Sequence, residues 1–114
     1  MSRAFVTDLC NRLPGAEWSE PFGTGTDVWK IGGKIFAATG DSAEGVSVKC
    51  PDVETAEMLR DAGVARKAPY FHKSWVMVPF NAGEAELEHR LRVSYDLIHA
   101  SLPRKVQASL PAAD

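Results

Sequence analysis

The stretch Val28-Trp29-Lys30-Ile31-Gly32-Gly33-Lys34-Ile35-Phe36-Ala37 decides the fold. Two runs rich in β-branched and aromatic residues flank a glycine pair, and glycines supply the positive φ that a two-residue hairpin turn demands. Such a turn sets the register, so Ile31 should oppose Lys34, Lys30 should oppose Ile35, and Trp29 should oppose Phe36. Trp29 and Phe36 then form a cross-strand aromatic pair, contributing about 0.2–1 kcal/mol beyond an alanine pair, and their area makes theirs the core face. Val28, Lys30, Ile35 and Ala37 fall on the opposite face.

The pattern continues on both sides of this hairpin. Upstream, Phe5, Leu9 and Leu13 recur every four residues with Val6 and Cys10 alongside, which predicts a helix stopped by Pro14-Gly15 and lying on the sheet. Residues 15–26, rich in Gly, Pro and Thr, read as a loop. Downstream, Val46, Val48 and Cys50 alternate with Ser47 and Lys49, a third strand whose Lys49 points away from the core. Asp52 is placed to cap a short helix running to about Ala62, with Val53, Ala56 and Leu59 as its apolar stripe and Gly63 as its stop. Strands follow at residues 64–67 and 75–80, separated by an irregular connection. Asn81-Ala82-Gly83-Glu84 has the form of a capping box opening a last helix, whose Leu87, Leu91, Tyr95, Ile98 and Leu102 share one face.

The expected order is therefore α-β-β-β-α-β-β-α, an α+β class. No repeat or linker divides the chain, which reads as one domain over residues 1–105, with 106–114 as a loose tail poor in large apolar residues. At 114 residues, such a domain buries well over half of its unfolded surface and needs neither disulfides nor a structural metal.

Charge restricts the function classes. Thirteen basic against fifteen acidic residues give a net charge of −2, and a pI near 5.9 is far from the basic footprint of a dedicated nucleic-acid binder. A local patch stands out nonetheless. Residues 62–83 contain no acid, yet Arg66, Lys67, His72 and Lys73 lie there among Tyr70, Phe71 and Trp75.

Catalytic and metal chemistry find little support. Cys10 and Cys50 lack C-x-x-C spacing and read as small buried thiols in a reducing, cytoplasmic setting. The N-terminus shows no signal region and no stretch is long and apolar enough for a membrane span. His89 and His99 are separated by about 15 Å along the last helix and cannot share an ion, while His72 reads as a surface or capping residue. Ser94, Asp96 and His99 point in different directions around that helix, so no triad follows. Gly23-Thr24-Gly25-Thr26 lacks the lysine and helix of a phosphate loop. Hence no catalytic residue, metal or cofactor is expected, and a monomer is the default.

The ordered set Leu13-Pro14-Gly15, Pro21-Phe22-Gly23, the hairpin, Val46-Ser47-Val48-Lys49-Cys50, residues 69–73 with Trp75-Val76-Met77-Val78, Ser94-Tyr95 and Leu102-Pro103-Arg104-Lys105 resembles the MmcQ/YjbR family over nearly the whole chain. The resemblance implies a two-layer domain with helices on one side of an antiparallel sheet, similar in outline to secretion chaperones and frataxin-like domains. It also implies DNA binding, the label members commonly carry, and no catalytic motif. The positions that follow the family pattern and form the expected contact surface are Lys30, Lys34, Lys49, Lys73 and Trp75. Lys30 and Lys49 project opposite Trp29 and Phe36, so they can form a basic sheet surface fed by Lys73. The plain counterpart is solvation of lysines on an exposed face, with Trp75, Phe71 and Trp18 serving as packing residues. A weak DNA-binding module is the leading expectation, and a protein-interaction or chaperone-like adaptor, which suits the acidic pI, is the alternative.

The core-face assignment of Trp29 predicts that Trp29→Ala destabilises the domain by about 3–5 kcal/mol in denaturant unfolding. A loss under about 1 kcal/mol would place Trp29 on the surface.

Overall fold

A computed structural model describes residues 2–40, 43–69 and 71–110. Helix α1 (Ser2–Arg12) precedes strands β1 (Glu17–Ser19), β2 (Thr26–Ile31), β3 (Lys34–Gly40) and β4 (Gly45–Lys49). Helix α2 (Val53–Asp61), strands β5 (Arg66–Lys67) and β6 (Trp75–Pro79), a 3-10 turn (Phe80–Ala82), α3 (Glu84–Ser101) and α4 (Arg104–Ser109) follow. The six strands form one antiparallel sheet in the order β1-β2-β3-β4-β6-β5. One core cluster joins Val6, Leu9 and Cys10 of α1, Ala56 and Leu59 of α2, and Leu87, Leu91, Tyr95 and Ile98 of α3 to Trp29, Phe36, Val48 and Val76 of the sheet. Three helices thus cover one sheet face, as expected for the α+β class.

The glycine turn forms as predicted, with φ of 57° at Gly32 and 85° at Gly33. Gly32 is required twice over, because a Cβ there would lie 2.6 Å from Leu102 Cδ1. The register begins as expected, with Ile31 opposite Lys34 and Lys30 opposite Ile35, and then shifts: Trp29 opposes Ala37. Phe36 is the extra residue of a β-bulge, so the expected Trp29–Phe36 partnership is not formed. The bulge turns both Phe36 and Ala37 into the core cluster beside Trp29, which moves Ala37 from the face the unbroken register assigns it. Trp29 is fully buried, and its indole N–H donates to Asn11 Oδ1 at 2.8 Å.

A bulge leaves ladder groups unpaired, and α3 supplies what is missing. The buried Ser94 hydroxyl donates to the Phe36 carbonyl at 2.7 Å and accepts from the Lys49 N–H at 2.9 Å. One residue further, the Tyr95 ring meets Phe36 edge-on at 5.5 Å, and its hydroxyl donates to the Pro14 carbonyl at 2.5 Å.

Other expectations change for local reasons. Within the expected loop 15–26, Glu17–Ser19 pairs with the edge of β2, which accepts three residues of little strand character. Trp18, expected as a packing residue, stays half exposed, its N–H donating to Asp27 Oδ1 at 2.9 Å. Asp52 caps α2 as predicted, accepting from Thr55 N–H at 2.7 Å. The capping box at 81–84 does not form: the 3-10 turn occupies Asn81, and Gly83, at φ 100°, becomes the N-cap of α3 without a side-chain bond. The segment expected to be loose carries α4 instead, because Val106 and Leu110 pack against the core and Gln107 Nε2 donates to the Leu102 carbonyl at 2.7 Å. Residues 111–114 of the expected tail lie outside the described residues. Among the described residues, no helix is long and apolar enough to cross a membrane.

Removing the Ser94 hydroxyl orphans one buried acceptor and one donor, each costing about 1–3 kcal/mol. Ser94→Ala should therefore lower unfolding stability by about 2–6 kcal/mol in urea titration. A change below about 1 kcal/mol would show that the β3–β4 gap closes without it.

Candidate nucleic-acid interface

The candidate site forms where β4 leaves the sheet and β6 enters it. Strand pairing sets Lys49 opposite Trp75, and the ladder runs one step further, with Cys50 N–H donating to the Ser74 carbonyl at 2.8 Å. Lys49 Nζ donates to Ser74 Oγ at 3.0 Å, and that hydroxyl lies 2.9 Å from His72 Nδ1. The Ser74 backbone N–H also donates to His72 Nδ1 at 3.1 Å. Nδ1 is thus the ring nitrogen that accepts from the Ser74 backbone. A short chain from Lys49 through Ser74 to His72 holds the turn before β6 in place.

Against this turn lies a cavity of about 150 Å³ lined by Arg60, Lys67, Ala68, Phe71, His72, Lys73 and Trp75. Phe71 stacks on Trp75, with ring centroids 4.3 Å apart and planes at 18°. Trp75 is only 8% exposed and serves as a floor, whereas Phe71 above it is partly open to solvent. Tyr70 lies outside the described residues. Arg60 reaches across from α2 and donates to the Lys73 carbonyl at 3.4 Å. Among the described residues no carboxylate lines the cavity, and none forms an ion pair with Arg60, Lys67 or Lys73.

Of the five residues singled out in the sequence, Lys49, Lys73 and Trp75 come together here. Lys30 lies on β2 with its side chain on the same sheet face as that of Lys49, two strand spacings or about 10 Å away, and has Glu17 as its neighbour across β1–β2. Lys34 is separated from the rest. Its place opposite Ile31 turns it toward the helices, where Nζ meets Ser101 Oγ at 3.4 Å. Arg66, in the same acid-free run, is tied to Glu44. Arg60 escaped the sequence reading because it belongs to a helix with several acids; only the placement of α2 beside β5 and β6 brings it to the cavity.

Among the described residues, no three His, Cys, Asp or Glu side chains converge on one point. Ser94 has both its hydrogen-bonding roles taken by backbone. Burial pushes the Cys10 thiol up from an ordinary 9.0 to about 12. Burial also raises Cys50, an effect opposed chiefly by the nearby guanidinium groups of Arg90 and Arg60.

An α+β domain with three helices on one face of a six-stranded antiparallel sheet, and a cation-lined cavity at the sheet's end, is the class this geometry defines. A family model described as YjbR matches residues 11–97, and the chain belongs to the YjbR family. The crystal structure of Deinococcus radiodurans protein DR2400, of the DUF419 domain family, superposes with a TM-score of 0.79 at 25% identity, covering 90% of this chain and 83% of that one. No curated protein matches the sequence at a significant level.

The thiol environment makes a separate prediction. The folded state holds the Cys10 proton to a higher pH than the unfolded chain, so stability is complete below about pH 9 and falls as pH rises toward 12. Equilibrium unfolding across that range should show the decline, and Cys10→Ala should flatten it. At pH 8 a thiol reagent should leave Cys10 unmodified in native protein and react with it in concentrated guanidinium.

Proposed function

We propose that this protein is a weak, non-catalytic nucleic-acid-binding module. The reading is carried by one observation: Arg60, Lys67, His72 and Lys73 line the cavity beside the stacked Phe71–Trp75 pair, with no carboxylate among its described lining residues. Cations contact phosphates, while an aromatic face accepts an unpaired base of any identity. Phe71 provides that face, and Trp75 holds it from below. The net charge of −2 sets the strength. With about three phosphate contacts, affinity belongs in the range of about 10⁻⁴–10⁻⁶ M typical of nonspecific binding. A cytoplasmic setting, where two unpaired thiols persist, suits this role.

A second reading, a protein-interaction adaptor, draws on a different surface. Trp18 is 50% and Phe22 73% exposed beside β1, the outermost strand of the sheet. Edge strands with apolar neighbours accept added strands from partner chains.

Fluorescence anisotropy with labelled oligonucleotides separates the two. Single strands should bind with a log affinity against log salt slope of about −2, a roughly twenty-fold loss between 50 and 200 mM salt. Replacing Lys67 and Lys73 by Gln should reduce the slope by about 1.4 while leaving the melting temperature within a few degrees. Absence of binding at low salt, or undiminished binding by the double variant, would transfer preference to the adaptor.

A further inference from the structure

We infer that the cavity between α2, β5 and the turn before β6 is a subsite for a terminal phosphate, so that the protein binds the phosphorylated end of a single strand rather than its interior. This deepens the nucleic-acid reading and rests on it. The cavity is lined by Arg60 from α2, Lys67 from β5 and Phe71, His72 and Lys73 from the turn, together with Ala68 and Trp75. Its volume of about 150 Å³ equals that of an engineered cavity that holds one benzene ring. A space of that size accommodates one phosphate group. A phosphate that enters end-on is one with a single ester bond.

The charges select the same group. Three cations and His72 line the cavity, with His72 Nδ1 engaged by Ser74. A diester carries one negative charge. A monoester carries nearly two above its second ionisation near pH 6, with three terminal oxygens for those donors. The additional charge beside three cations corresponds to about a ten-fold gain, even at the dielectric constant of water. The first base then meets the partly open Phe71 ring next to the cavity mouth.

The test compares one short pyrimidine oligonucleotide in three forms, 5′-phosphorylated, 3′-phosphorylated and unphosphorylated, at constant ionic strength and about pH 7.5, above that second ionisation. Ribose 5-phosphate and inorganic phosphate serve as competitors, and wild type is set beside the Arg60→Gln/Lys73→Gln variant. At least one phosphorylated form should bind about ten-fold more tightly than the unphosphorylated one. Inorganic phosphate should erase that advantage, and the variant should lose it with an unchanged melting temperature. Equal binding of all three forms, reduced alike in the variant, would overturn the terminal-phosphate subsite and leave the nucleic-acid reading standing. Ribose 5-phosphate binding as tightly as the phosphorylated oligonucleotide would uphold the phosphate subsite and overturn the nucleic-acid reading. No binding of any of the five ligands would overturn both.

Discussion

The hydroxyl of Ser94, held between the Phe36 carbonyl and the Lys49 N–H, is the contact on which the rest of the structure depends. The bulge at Phe36 lets Trp29, Phe36 and Ala37 all face the helices, which enlarges the core beyond what strict alternation allows. That arrangement leaves only two partnered positions between β3 and β4, Ala37 with Val48 and Ala38 with Ser47. Backbone groups in a gap of this kind, closed to water, destabilise a fold unless something pairs with them. Ser94 is short enough to reach both. It fixes the rotational setting of α3, and with it the seating of Leu87, Leu91, Tyr95 and Ile98.

The same contact links the core to the candidate site. Lys49 is anchored through its backbone by Ser94 on one side, while its ammonium group goes to Ser74 on the other. Ser74 in turn orders His72, and the turn carrying His72 and Lys73 forms one wall of the cavity. An acidic protein carries a cationic site without contradiction, because screening at physiological salt confines each charge's influence to about 8 Å. Two acids in the first half of α3 are paired along the helix, Glu86 with Arg90 and Glu88 with Arg92.

Much of the fold was legible because it rests on local periodicity. The alternation in β4, the Asp52 cap, the glycine turn and the apolar face of α3 are each specified by residues within one or two turns of one another. The failures share a cause as well. β1 exists because β2 has an edge to pair with, and α4 exists because Val106 and Leu110 find apolar surface left by the hairpin and α3. Asn81 lost its capping role to a 3-10 turn whose start is tied by the Phe80 N–H to the Glu44 carbonyl, thirty-six positions away and just before β4.

By itself the sequence determined the α+β class, the burial of Trp29, the outward direction of Lys49 and the acid-free run containing Lys67, His72 and Lys73, since these follow from side-chain alternation and composition. Only the tertiary structure decided that Arg60 joins the cations of that run, that Trp75 is a floor beneath Phe71 and that Ala37 turns into the core. Those outcomes depend on a strand order in which β6 inserts between β4 and β5, and on a one-residue bulge in β3. Both are settled by packing between residues distant in sequence, where no local pattern is written.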